Sequence, residues 1–255
     1  MILDTIVEQK KREVALLKKN GIHALGEVDP PRGFIQALTS FDGLALIAEA
    51  KKASPSKGVI CEDFHPAQIA TRYEAGGAQC MSVLTDETFF QGRLDYLSLV
   101  RSTVTLPVLR KDFMIDTLQI EEAAAHGADA ILLIAAILSK AQMAEFLACA
   151  NELGMDVLVE VHNEAELEVA LAVDSPLLGV NNRNLKTFEV DLTTTFRLQK
   201  LMPKGTPLVS ESGIRDFGDI KACIDHSITA VLVGESLMRA GETDGALAKL
   251  MGRSV

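Results

Sequence analysis

The sequence predicts an α/β chain folded as a (β/α)8 barrel, the TIM-barrel architecture, with an N-terminal helical extension. Three observations carry that expectation. Short apolar runs recur eight times along the 255 residues without the polar alternation of a half-exposed strand, as expected of strands buried on both faces of a parallel sheet. Each run is followed by a loop and a stretch of helical pattern, at a spacing of roughly 20 to 35 residues, the length of a strand plus its crossover helix. The repeat continues to the chain end and no GxGxxG follows the first run, which favours a closed barrel over a doubly wound open sheet.

The chain opens with MILDTIVEQKKREVALLKKN, where Ile2, Leu3, Ile6, Val7, Val14 and Leu17 are interspersed with charges. This predicts an amphipathic helix rather than a signal peptide, because no continuous apolar core follows the first charges. Residues 1–42 are expected to form the helical extension and 1–255 a single barrel domain, since no Pro-, Ser- or Gly-rich linker interrupts the chain. The predicted strands are 44–50, 80–84, 107–109, 130–135, 156–161, 177–180, 207–209 and 230–233. Between and after them, helical patterns occupy 66–75, 94–102, 117–126, 140–153, 164–172, 192–201, 217–225 and 245–251. The phrases "AGGAQC" (75–80) and "AHGADA" (125–130) put a glycine where a helix must stop before the next strand.

Composition excludes several function classes. A net charge of -10 argues against a nucleic-acid surface, so any anionic ligand must be held by a local cluster of cations and backbone amides. The longest apolar stretch, 130–138, is about half of what a membrane-spanning helix needs, and no membrane partner is expected. Cys61, Cys80, Cys149 and Cys223 show neither CxxC nor metal-ligand spacing, which fits buried thiols in a reducing cytoplasm. A monomer or weak homo-oligomer is expected.

A barrel gathers its reactive groups at the C-terminal ends of its strands. The first run ends in "AEAKKASPSKG", delivering Glu49 and Lys51 to one side because strand side chains alternate. The second ends in Thr85 and Asp86, the third in Lys111, and the fifth in Glu160. The sixth ends in "GVNNRNL" with Asn181 and Arg183, the seventh in "SESGI" with Glu211, Ser212 and Gly213, and the eighth in "VGES" with Gly234. A single charged residue at a strand end is ordinarily just solvated, and Thr85-Asp86 reads equally well as a cap on the next turn. Glu160 is different, because it sits between Val159 and Val161 and a buried carboxylate needs a partner or a raised pKa. Lys111 and Lys51 are the neighbours expected for it.

The glycines after runs seven and eight fall where barrels build phosphate sites from backbone N–H groups and a short helix N-terminus. Gly213 and Gly234 let the backbone approach an anion, and Ser54 in the Ser-Pro-Ser turn supplies a further hydroxyl. Leu84, Phe89, Phe90, Phe113, Leu133 and Leu185 are candidates to wall an aromatic part of a ligand. His162 follows the Glu160 strand, but the five histidines lack metal-ligand spacing, so no metal is assigned.

"IAEAKKASPSKG", "PVLRKDF", "LVEVH", "GVNNRNL", "SESGI" and "LVGESLM", in this order and over nearly the whole chain, resemble the indole-3-glycerol phosphate synthase family. The resemblance implies a lyase of tryptophan and aromatic amino acid biosynthesis that closes, decarboxylates and dehydrates 1-(2-carboxyphenylamino)-1-deoxyribulose 5-phosphate, a phosphorylated small molecule, without a cofactor. It implies Lys111 as general acid, Lys51 as the lysine that pairs with substrate anions, Glu160 as general base and Glu49 as a partner of the lysine network. Asn181, Arg183 and Ser212 fall where the family orients its substrate, and Ser54, Gly213 and Gly234 match phosphate-loop positions. Phe113, Leu185 and Glu211 complete the expected substrate-binding set. Lysine suits the acid role because burial and neighbouring charge are expected to lower its pKa toward working pH. The chain departs from the pattern at Ala50, expected to face the helices, and at Glu235, where a serine would help a phosphate and whose side chain is expected to point away. A Schiff-base lyase of the aldolase type, using two mouth lysines, and a non-catalytic phosphate-ligand barrel are the competing readings.

Overall fold

Eight parallel strands close into one barrel in the computed structural model, which describes residues 2–23, 26, 28–241 and 245–253. They are β1 (Ala45–Ala50), β2 (Cys80–Leu84), β3 (Val108–Lys111), β4 (Ala130–Ile134), β5 (Asp156–Val161), β6 (Leu178–Asn181), β7 (Leu208–Glu211) and β8 (Ala230–Val233). Each pairs with its neighbours in sequence, and β8 pairs with β1 to complete the ring. The expected spans 1–42 and 1–255 include residues 1, 24, 25, 27, 242–244, 254 and 255, which lie outside the described residues.

Because side chains alternate along a strand, each strand feeds two cores. Inside the barrel, Ala45, Ile47, Cys80, Leu109, Ala130, Leu132, Leu158, Val209, Ala230 and Leu232 pack together. The alanines Ala45 and Ala230 lie opposite one another and Ala130 lies opposite Leu109, which leaves room at the bottom of the barrel. That room is filled by α2 (Phe34–Thr39), whose Phe34 and Leu38 are fully buried in the same cluster. Each such plug residue contributes about 1.5–3 kcal/mol of burial. Outside, Leu46, Ala48, Ala50, Met81, Val83, Ile131, Leu133, Val159 and Val231 pack beneath the helices. Ala50 thus faces the helices, as its place in the alternation requires.

Local signals set the helix ends. Gly77 and Gly127 take φ of +82° and +81° at the two repeated junctions, and the N–H groups of Ala78 and Ala128 reach back to Tyr73 and Ala123, closing the helix with the 6→1 bond of a glycine C-cap. Ser139 and Gln142 form a reciprocal capping box at the start of Lys140–Glu152. Strand β3 runs two residues past its apolar run, because Arg110 is buried under the outer helices by Glu122 at 2.9 Å and the Gln119 carbonyl at 2.9 Å. A short helix, Glu235–Ala240, directly after β8 carried no apolar pattern long enough to detect.

Helix α1 (Ile2–Asn20) starts at the C-terminal mouth of the barrel and is tied near its other end by Lys18 to Asp116 at 2.5 Å. Midway, the ammonium of Lys10 lies 2.8 Å from each of Asp86, Asp112 and Glu13, with both aspartates buried. Asp86 follows β2 and caps Glu87–Phe90, while Asp112 follows β3, so one lysine locks α1 to two loops of the mouth. These carboxylates hold Lys10 above its ordinary pKa against the opposing effect of burial, and Asp112 is drawn down to about 2 despite its own burial. Lys10→Met would leave the buried Asp86 without its cation and Asp112 with Arg110 alone, at 3.4 Å, and should cost about 3–5 kcal/mol. Urea unfolding with an unchanged slope and a lower midpoint is the expected result.

Candidate active site

The cavity at the C-terminal mouth has a volume of about 530 Å³ and is lined from all eight strands, mostly by residues that alternation turns inward. All thirteen sequence-predicted site residues line it: Glu49, Lys51, Ser54, Lys111, Phe113, Glu160, Asn181, Arg183, Leu185, Glu211, Ser212, Gly213 and Gly234.

At its floor, Lys111 Nζ lies 3.2 Å from Glu160 Oε2 and 3.5 Å from Glu211 Oε2. Lys51 pairs with Glu49 at 2.5 Å instead of with Glu160, so the mouth holds two lysine–glutamate pairs. Asn181 donates its amide to Glu160 Oε1 at 3.2 Å and accepts the backbone N–H of Arg183 at 3.0 Å. Glu160, Glu49 and Glu211 are all buried, and two glycines make that possible. A Cβ on Gly179 would collide with Glu211 Oε1, and one on Gly234 with Glu49 Oε1. Gly234 therefore serves a carboxylate of its own chain, a reason that phosphate-loop reasoning did not include.

Burial alone would neutralise these groups, yet pairing wins for most of them. Burial pushes Glu160 up, but the charge of Lys111, the nearby His162 ring and the hydrogen bond from Asn181 hold it far below the usual carboxylate range. Lys111 is pushed down by burial and more strongly up by Glu160, Glu211 and Glu49, so it ends above the usual lysine range. This reverses the expectation that the site lowers its pKa, because three carboxylates outweigh desolvation. Glu211 goes the other way: burial, with Glu160 and Glu49 nearby, pushes it up to about 8 against the pull of Lys111. Its Oε1 is buried and has no hydrogen-bond partner.

The rim is built by loops. Ser212 and Gly213 take φ of +65° and +89°, and a Cβ on Gly213 would stand 2.7 Å from Val190 Cγ1. Asn182, buried, holds this turn by donating to the carbonyls of Glu211 and Ser212, each at 3.0 Å, while its own Oδ1 accepts from Thr195 at 2.8 Å. Ser56, Lys57, Arg215, Ser236 and Arg239 join Ser54 and Arg183 on the rim, giving it a cationic side in an acidic protein. Glu235 does not point away from this surface. It pairs with Arg239 at 3.0 Å and faces Arg183 at 3.9 Å, drawn by those two cations.

The apolar wall needs two corrections. Leu133 faces the outer core and Phe89 does not line the cavity; Leu132, Ile134 and Phe90 do, because they occupy the inward positions. Phe90 and Phe113 approach with ring centroids 6.0 Å apart, and Leu84 and Leu185 lie on the same cavity. Ile2, Leu3 and Ile6 of α1 also reach it. Their amphipathic spacing was readable, but not the place where the helix docks. Thr85 and Asp86 lie buried beside this wall in the Lys10 cluster, not on the cavity. Among the described residues no group of three or more His, Cys, Asp or Glu is arranged to hold a metal ion, and no helix is long and apolar enough to cross a membrane.

A closed parallel barrel with paired lysines and glutamates converging at its C-terminal mouth is the architecture of a barrel enzyme. The family model for indole-3-glycerol phosphate synthase matches residues 3–250, and the chain belongs to that family of lyases. The chain is 57% identical over 254 residues to the indole-3-glycerol phosphate synthase of Desulfotalea psychrophila, covering 98% of each. To that of Legionella pneumophila strain Lens it is 51% identical over 253 residues, again covering 98% of each. Solved structures share the fold alone: KGPDC from Streptococcus mutans superposes with a TM-score of 0.64 at 12% identity, covering 83% of this chain and 97% of that one. The N-acetylmannosamine-6-phosphate 2-epimerase from Clostridium perfringens gives 0.61 at 13% identity, covering 76% and 88%.

Proposed function

We propose that the mouth cluster carries out the three steps of indole-3-glycerol phosphate formation from 1-(2-carboxyphenylamino)-1-deoxyribulose 5-phosphate, with Lys111 as acid and Glu160 as base. The observation that carries this reading is the Lys111–Glu160 pair, 3.2 Å apart, in which the acid is held protonated and the base ionised at the same pH. In the first step the ring carbon bearing the carboxylate attacks the ketone carbon, and Lys111 protonates the oxygen as it becomes an alkoxide. An alkoxide is a much stronger base than an amine, so a firmly protonated lysine still transfers its proton. Loss of carbon dioxide then restores the aromatic ring. In the last step Glu160 removes the carbon-bound proton while the hydroxyl leaves as water. The carboxylate enters charged and leaves as a neutral gas, so each turnover takes up a proton from solvent.

Lys51, steadied by Glu49, suits the substrate carboxylate or the departing hydroxyl, and these coupled groups share protons. Glu211, pushed up to about 8, offers an O–H to the substrate. Asn181, Arg183 and Ser212 orient it, Ser54, Gly213 and Gly234 take the phosphate end, and Phe113 and Leu185 flank its ring. Holding both reacting carbons in one cavity adds a proximity contribution. The firm protonation of Lys111 speaks against a Schiff-base lyase, whose lysine must be lowered to act as an amine.

This reading keeps residues 1–255 as one barrel domain with 1–42 as its extension, working in the cytoplasm as a monomer or weak homo-oligomer without nucleic-acid partners. Four unpaired cysteines support a reducing compartment. Mixing the purified protein with the substrate in the presence of a chelator should give steadily growing indole fluorescence. A folded protein that binds the substrate and stays dark would contradict the reading.

A further inference from the structure

The strand that delivers Glu160 continues into His162, and the ring of that histidine turns back toward the same carboxylate. Its Nε2 lies 3.2 Å from Glu160 Oε1, and its Nδ1 lies 3.0 Å from Glu166 Oε2. Glu166 is itself held in place. Its Oε2 accepts the backbone N–H of His162 at 2.8 Å, its Oε1 accepts the Asn163 amide at 2.6 Å, and its backbone N–H donates to Asn163 Oδ1 at 3.1 Å. These bonds belong to the N-terminal cap of the helix Glu164–Leu171, where a carboxylate is favoured by the helix dipole. Neither His162 nor Glu166 lines the cavity, so neither meets the substrate.

We propose that His162, braced by Glu166, is a positioning residue that fixes the Glu160 carboxylate in place and keeps it ionised. The inference rests on the reading of Glu160 as the base. The groups facing Glu160 are Lys111 from β3, Asn181 from β6, Glu211 from β7 and, farther round the ring, Glu49 from β1. Glu49 and Glu211 are carboxyls too, and Lys111 is shared among all three. A second cation therefore favours ionised Glu160, and it comes from the end of the same strand. His162 fits: burial favours its neutral ring, but the carboxylates of Glu160, 3.2 Å from Nε2, and Glu166, 3.0 Å from Nδ1, overcome this and push its pKa up to about 10. The arrangement follows the rule that a buried histidine's second nitrogen fixes the role of the first.

The test compares pH profiles of kcat for His162→Leu, His162→Gln and wild type on one substrate, whose own titration is then common to all. Removing a cation raises the pKa of Glu160, so His162→Leu should gain an acid limb in the ordinary carboxylate range, about pH 4 to 5, where wild type has none from this group. The effect should fall on kcat more than on KM. His162→Gln keeps a neutral donor, so it should recover part of kcat while the acid limb stays. A His162→Leu protein that folds and shows no such limb overturns the proposal, as does a loss confined to KM. If His162→Leu does not fold, Glu166→Gln gives the same reading: a smaller loss toward acid pH supports it, and a wild-type profile overturns it. Failure of the base assignment looks different, because Glu160→Gln would then keep full turnover whatever the His162 variants do.

Discussion

Lys111→Met should lower kcat by roughly 10²- to 10⁴-fold, the range ascribed to a positioned general acid. Methionine fills the same space without a charge, so the loss reports the proton and the electrostatics rather than a hole in the floor. Two further consequences separate this from simple damage. Without the ammonium, Glu160 loses one of its two cations while Glu211 stays protonated beside it, so the Glu160 carboxylate binds a proton more readily. The base is therefore impaired along with the acid, and Lys111→Met combined with Glu160→Gln should cost much less than the sum of the two single changes. Steady-state indole fluorescence on the three variants checks this. Full additivity would mean that the two groups act independently, against the geometry of the pair.

Glu160→Gln should reduce kcat by a comparable factor, roughly 10²- to 10⁴-fold. The substitution keeps the shape and leaves an amide oxygen for Lys111 or Asn181, so the fold should survive. What is lost is the site that accepts the carbon-bound proton in the dehydration. Closure and decarboxylation do not require that site, so a variant limited at the last step should accumulate a decarboxylated, still hydroxylated intermediate. Rapid quenching with mass detection of that species is the check. Glu160 is depressed in the folded protein, so it stays ionised as pH falls through the ordinary carboxylate range and is lost only below it. Wild-type activity should accordingly show no acid limb from this group near pH 4 to 5, the ordinary range for a carboxylate.

The barrel was legible in the sequence because two-faced burial writes continuous apolar runs, and glycines at 77 and 127 punctuate them. The mouth was legible for the same reason, since a polar residue ending such a run has only the cavity to enter. Pairing was less so: Lys111 was rightly expected beside Glu160, but so was Lys51, which pairs with Glu49 instead, because partners depend on strand neighbours around the ring. The direction of the Lys111 shift was misread because it is set by three carboxylates from strands far apart in sequence. The phase of β4 was misread as well, so that Leu133 stood in for Leu132 and Ile134; inside a uniformly apolar strand nothing in composition tells the two faces apart. Lys10 was invisible for a related reason, because an apolar stripe on a surface helix gives no sign that a lysine within it will be buried by two aspartates from other loops.

The central claim is that Lys111 acts in the chemistry and is not merely an anchor for the substrate. The most direct measurement is calorimetric binding, to wild type and to Lys111→Met, of the substrate with its ketone reduced to an alcohol. That analogue keeps the carboxylate and the phosphate but cannot react. Dissociation constants that stay within about tenfold, or 1.4 kcal/mol, while kcat falls by far more, are the expected result. A loss of binding as large as the loss of turnover would contradict the account and leave Lys111 as an anion anchor.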